Sequence, residues 1–235
     1  MIEAYVTNLG KYVEGELCGE YLKLPATKED VQALFARIGV DGVLYEEIFI
    51  TDYETDIEGL RNCLGEYESV DELNYLASLL NDLDKWEIEK FEAALEYGEY
   101  TGSVKDLINL AQNLDCYDYL QGVEDDDDLG RYYADELGTL EVPEHLQNYI
   151  DYEAYGRDIR LSDGGVFTSG GYVGDNRDTF IEHYGGRDDI PDEYRIFRYP
   201  DPPEKLPLKK QLEMYGNMVL VSFAPDKAVP ALESR

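Results

Sequence analysis

Any fold of this chain must spread a net charge of −32 over its surface, because 52 Asp and Glu face only 20 Lys and Arg. The charge is unevenly placed. Residues 1–60 carry −9, residues 61–105 carry −7, residues 106–170 carry −13 and residues 171–235 only −3. Self-repulsion of this size opposes compaction, so enough apolar surface must be buried to outweigh it. The chain has that material: 43% of its residues are hydrophobic, with 21 Tyr and 7 Phe. A disordered acidic tail is poor in aromatic residues. The expectation is a folded α+β protein with an acidic exterior. Such an exterior repels nucleic acid and anionic membranes and attracts basic surfaces, including grooves that hold DNA.

Punctuation along the chain divides it. Residues 3–8 and 17–24 read as strands. Thr27 and Asp30 then form a capping pattern ahead of Val31, Leu34, Phe35 and Ile38 at helical spacing, with Gly39 to stop the helix. Glu46–Thr51 reads as a strand, and residues 53–68 as a linker. Three more helices are announced by Ser69 with Glu72, Asp84 with Glu87, and Ser103 with Asp106, each followed by an apolar face. The acidic run Glu124–Asp128 leads into a helix through Leu129, Tyr132, Tyr133 and Leu137. Pro143 opens another, expected to run through Leu146, Tyr149 and Tyr155. Val166–Val173 reads as a glycine-weakened strand. A proline-rich segment follows, then a short helix at Leu208–Tyr215 and a strand at Met218–Phe223. The expected units are an α+β domain at 1–60, a helical bundle at 61–103, an α+β domain at 104–173 and an extension at 174–235.

Catalytic chemistry is poorly represented. The two histidines, His145 and His183, have no neighbours at metal-ligand spacing. No GxGxxG, Walker A or GxSxG sequence occurs. An EF-hand register started at Glu124 puts Leu129 where glycine is needed and Asp135 where glutamate is needed. No cofactor and no metal are expected. Cys18, Cys63 and Cys116 form no CxxC pattern, and with no leader sequence and no 18-residue apolar run the expectation is a cytoplasmic protein without a membrane span.

The carboxylates themselves are the candidate functional groups. Duplex DNA carries one charge per about 1.7 Å, so the −29 of residues 1–170 matches roughly 50 Å of duplex, some 15 base pairs. Glu89, Glu92, Glu96 and Glu99 make one stripe on a helix. At about 5 Å per charge the stripe is too sparse to copy a phosphate strand alone, so several elements would have to cooperate. Two plainer readings stay open: a merely solubilising surface, or salt adaptation, which should acidify the whole chain evenly.

Particular segments carry a resemblance. Tyr5-Val6-Thr7-Asn8-Leu9-Gly10-Lys11-Tyr12, then Glu14-Gly15-Glu16-Leu17 and Gly19, resemble the opening of the ArdA antirestriction proteins. So do Glu46–Asp52, Ser69-Val70-Asp71-Glu72-Leu73-Asn74, Tyr132-Tyr133 and, most closely, the run from Pro143 to Asp158. The pattern fades after about Val173. The resemblance implies a noncatalytic DNA mimic of mobile-element origin, built as an elongated array of three small domains. It implies a homodimer through the third domain that occupies the DNA-binding groove of a type I restriction–modification enzyme. The candidate partner-facing carboxylates are Glu89, Glu92, Glu96, Asp106, Asp115, Asp118, Glu124, Asp125, Asp126, Asp127, Asp128, Asp135 and Glu136. Tyr149, Tyr152 and Tyr155, at i, i+3 and i+6, are candidates for the dimer interface, or equally for the protomer core. An acidic module for another basic partner, such as a transcription factor or nucleoid protein, is the alternative. A carboxylate-pair hydrolase is a third reading that would need a deep cleft.

Overall fold

The computed structural model describes residues 1–140 and 143–201, and residues 1–200 form one compact unit. Two small antiparallel sheets and seven α-helices account for its regular structure among the described residues, an α+β arrangement. The first sheet has the order β2-β1-β3, with β1 Ile2–Asn8, β2 Gly19–Leu24 and β3 Ile48–Thr55. Ile2, Ala4 and Val6 alternate along β1 and turn inward, as period-two patterning requires. A short helix, α1 (Leu9–Val13), follows β1 and is capped by Asn8, whose side chain accepts from the Lys11 N–H. Helix α2 (Lys28–Ile38) covers the sheet with Val31, Leu34, Phe35 and Ile38. Its start is the expected capping box: Thr27 accepts from the Asp30 N–H, and the Asp30 carboxylate accepts from the Thr27 N–H.

Helices α3 (Val70–Asp82), α4 (Lys85–Tyr97) and α5 (Val104–Ala111) begin where the cap signals place them. Asp84 and Glu87 close a full capping box. Ser69 accepts from the Glu72 N–H, but Glu72 does not reach back; its carboxylate is drawn away to Tyr184 and Arg187. The second sheet has the order β4-β6-β5, with β4 Tyr117–Gln121, β5 Val166–Phe167 and β6 Gly171–Asp175. Helix α6 (Asp126–Arg131) packs across α7 (Tyr152–Asp163). One continuous apolar cluster joins the first sheet, α2–α5, β4 and β6, and a smaller one gathers Val123, Leu129 and Tyr172.

Several expectations are corrected. The segment 53–68 is no linker: β3 continues to Thr55, and Ile57 and Leu60 anchor a 3₁₀ turn in the core. Strand β4 passes unnoticed in the sequence although Tyr117 and Tyr119 are buried and Asp118 between them is exposed. The helix from Leu129 to Leu137 is α6 followed by a wider π-turn at Tyr132–Glu136. The helix from Pro143 through Tyr155 is broken into a 3₁₀ turn at Glu144–Tyr149 and α7. Asp151 interrupts it by capping α7, accepting from the Ala154 N–H. The single strand at Val166–Val173 is a hairpin, because Thr168 and Gly171 exchange backbone hydrogen bonds and Gly171 takes φ +151. The helix and strand expected at Leu208–Tyr215 and Met218–Phe223 lie outside the described residues.

From Asn176 to Pro200 the chain runs back over α5, α3 and α2 without strands, broken by 3₁₀ turns at Arg187–Asp189 and Asp192–Tyr194. Tyr184, Ile190 and Ile196 join the core, and Tyr100 stacks on Phe180 at 3.6 Å between ring centroids.

Candidate partner-binding surface

The expected carboxylates divide by how they are held. On α4, Glu89, Glu92 and Glu96 each accept a hydrogen bond from a different neighbour. Glu89 takes the Gln121 amide at 2.7 Å and pairs with Lys85, Glu92 takes the Glu58 N–H at 2.8 Å, and Glu96 takes the Ser169 N–H at 3.1 Å and the Ser169 hydroxyl at 2.5 Å. Glu99 falls beyond the helix, past the Gly98 cap. A sequence reading of the stripe as a free face misses this: its charges are used to tie the helix to the turn after β3, the end of β4 and the β5–β6 turn. Lys85 pairs with Glu89, while Glu92 and Glu96 take neutral donors and share no ion pair among the described residues.

The field of that stripe is felt next door. The Tyr119 hydroxyl is pushed up by burial and, beyond that, by Glu89, Glu92 and Glu96 together. The Tyr117 hydroxyl is pushed up in the same way, by burial first and then by Glu99 and Asp175 among others. Burial lowers Lys90, although Asp118 and Asp115 act to raise it. Asp115 and Asp118 themselves are exposed, on the turn before β4 and on β4. Asp106 sits in the first turn of α5, with its carboxylate taking the Ser103 hydroxyl at 2.7 Å.

The run Glu124–Asp128 is not uniform. Asp125 caps α6, accepting from the Asp128 N–H, and Asp128 accepts from the Glu124 N–H. Asp126 is bound bidentately by Arg160, at 2.8 and 3.0 Å, and Asp127 is paired with Arg131 at 2.6 Å. So Asp126 and Asp127 are neutralised within the chain, while Glu124, Asp125 and Asp128 share no ion pair among the described residues and sit at the helix start, where the dipole favours them. Asp135 and Glu136 are exposed on the following π-turn. Asp163, which sequence reasoning passed over, accepts from the Tyr172 hydroxyl at 2.5 Å; it ends α7 with no pattern to flag it.

The Arg160 hydrogen bond holds the Asp126 carboxyl below the usual aspartate range. A depressed folded-state pKa gives stability that is complete above the unfolded value and is lost as pH falls through the folded one. The pair should therefore lose its contribution below about pH 4. Urea midpoints measured from neutral to acid pH should fall less steeply in Asp126→Asn than in the parent chain, with the curves converging at low pH.

The three tyrosines do not share a face. Tyr152 is 4% exposed, with the Arg131 guanidinium 4.4 Å above its ring, so it belongs to the protomer core. Tyr155 is half-buried and hydrogen bonds to Thr139. Tyr149 is 83% exposed on the preceding 3₁₀ turn. The i, i+3, i+6 spacing fails here because Asp151 breaks the helix between the first and second members.

Among the described residues, no helix is long and apolar enough to cross a membrane, and no group of three or more His, Cys, Asp or Glu is placed to hold a metal ion. Ion pairs engage a minority of the carboxylates in the described part of the chain. The remaining acids include several that accept hydrogen bonds from neutral donors, such as Glu92, Glu96, Asp125 and Asp128. Comparison with curated proteins returned no match. The sequence model for a family described as antirestriction protein (ArdA) matches residues 4–174, which takes in all seven helices and all but the outer ends of the two sheets and stops before the return segment. With its acidic surface and a match over most of its length, the chain belongs to the ArdA family of antirestriction proteins.

Proposed function

We propose that this protein inhibits a type I restriction–modification enzyme by presenting carboxylates where a duplex presents phosphates, and so competes for the enzyme's DNA-binding groove. It does so without catalysis or a cofactor, in the cytoplasm. The observation that carries this reading is the manner in which the acids are held. Glu92, Glu96, Asp125 and Asp128 accept from backbone N–H groups, which hold the side chains in place while leaving the charge intact. A fixed, uncompensated charge is what a groove built for phosphates would bind; a merely solubilising acid needs no such fixing. The carboxylates come from several elements, as the phosphate spacing requires.

The domains of this reading are 1–60, 61–103 and 104–173, and two copies join through the third. Leu137, Leu146, Tyr149 and Leu161 are exposed large apolar residues in that stretch and support such a contact. Association with the enzyme is expected to be fast and weakened by salt, since the attraction is long-ranged.

The test is a titration of the full-length protein into a type I enzyme, with and without competing target duplex, at two salt concentrations. Binding that duplex displaces and salt weakens is the expected result. Simultaneous binding of protein and duplex to one enzyme would exclude groove competition.

A further inference from the structure

The return segment after β6 lies on α5 in an unusual way. Helix α5 buries Val104, Leu107, Ile108 and Leu110 toward the core. Its other side is polar, with Lys105 and Asn109 on the helix and Asn113 just past its Gln112 cap, the composition of a solvent-facing stripe. Yet Asn109 and Asn113 are only 2% and 3% exposed, because the return segment covers them.

The contact is a pair of two-point hydrogen bonds to main chain. The Asn109 amide donates to the Tyr184 carbonyl at 2.8 Å and accepts from the Tyr184 N–H at 2.9 Å. The Asn113 amide donates to the Ile181 carbonyl at 2.9 Å and accepts from the Ile181 N–H at 2.9 Å. An asparagine amide reads an extended peptide in this way as a neighbouring strand would, without regard to side chains. Side-chain specificity comes from α3. Glu72, 6% exposed, receives the Tyr184 hydroxyl on one oxygen at 3.0 Å and the Arg187 Nε on the other at 2.8 Å. The Tyr184 ring packs edge-on against Tyr75, 5.8 Å between centroids. Further along, Asp71 takes the Ile196 and Phe197 N–H groups, both at 2.7 Å.

We propose that the α3–α5 face is a peptide-binding groove, occupied in cis by residues 180–199 as a resident ligand. Its recognition rule is a peptide whose main chain pairs with Asn113 and Asn109 and then turns at Gly186, bringing a tyrosine and, three residues on, an arginine to Glu72. Asn109 and Asn113 read the backbone and Glu72 reads the two side chains. Vacating the face uncovers the polar side chains Asp71, Glu72, Asn109 and Asn113 as well as the apolar contacts of Tyr184, Ile190 and Ile196, so water can hydrate part of it. The segment also lies outside the family match, which ends at residue 174. The groove therefore fits a segment added to the family body, and by tying α5 and α3 to α2 the segment braces that body.

The experiment keeps the full chain. A protease recognition sequence is inserted between the exposed residues Asp178 and Thr179, and the folded protein is nicked. The expected result is a folded nicked protein that exchanges its C-terminal fragment for a fluorescent peptide of residues 179–200, one per chain. The same peptide carrying Tyr184→Ala or Arg187→Glu should bind at least about thirtyfold more weakly, as for loss of an anchor residue. Asn109→Ala with Asn113→Ala in the nicked chain should weaken the unmodified peptide to a similar degree. Unfolding on nicking would overturn the proposal by making the continuous segment indispensable to the fold. So would failure of the peptide to bind, or binding indifferent to the peptide substitutions.

Discussion

Gly130→Ala should destabilise the protein by about 3 kcal/mol, the upper part of the range for overpacking a rigid contact. Alanine normally stabilises a helix relative to glycine by up to about 1 kcal/mol, so the sign is reversed here. A Cβ on Gly130 would lie 2.0 Å from the Tyr152 carbonyl oxygen, and one on Gly156 would lie 1.9 Å from the Asp126 carbonyl oxygen. In both cases the obstacle is backbone and cannot swing aside. The two glycines face each other where α6 crosses α7, and each permits the other's helix to come within backbone contact. Gly156→Ala should therefore cost about as much, and the double substitution less than the sum, since both relieve one crossing. Urea denaturation checks this, with Gly102→Ala as the comparison: its nearest neighbour is the Asp106 carboxylate at 3.4 Å, and it should be close to neutral. Separation of α6 from α7 also displaces Asp125 and Asp128, so inhibition of the restriction enzyme should fall with stability.

Converting Asp118, Glu124, Asp125, Asp128, Asp135 and Glu136 together to their amides should weaken inhibition about a thousandfold. This corresponds to about threefold for each exposed carboxylate in a shared field. All six are exposed, and none shares an ion pair among the described residues. Asparagine caps a helix about as well as aspartate, so Asp125→Asn keeps α6 intact. Thermal stability should hold or rise, because self-repulsion falls. Inhibition measured at two salt concentrations should also lose part of its salt dependence. One of the six substitutions abolishing inhibition alone, with the fold intact, would show a localised contact in place of a shared field. Asp126 and Asp127 are left out of the set because Arg160 and Arg131 already neutralise them.

Local chemistry made much of the scaffold legible. Thr27, Ser69, Asp84 and Ser103 announce their helices because a cap satisfies backbone N–H groups within the next three residues, a distance the sequence records. Strand β4 was hidden because Tyr117, Asp118 and Tyr119 alternate over too few residues to stand out from a turn. The break at Asp151 was hidden because an aspartate can cap a new helix or sit in an old one, and only the packing of α7 on α6 selects between them. That packing also sends Tyr152 inward while Tyr149 stays in solvent, although the two look alike in sequence.

The candidate surface divides along the same line. By itself the sequence determined the size and sign of the charge, its concentration in residues 1–170, the starts of four helices and the family, all of which depend on composition or on residues close together in the chain. The tertiary structure decided which acids keep their charge. Asp126 and Arg160 are 34 residues apart, Glu96 and Ser169 are 73, and Glu72 and Tyr184 are 112. Carboxylates of one kind thus become an ion-pair partner, a tether that keeps its charge and a buried reader of a peptide. The physical reason is that a charge takes its role from the donors the fold brings to it, and those donors lie too far along the chain for any local pattern to name.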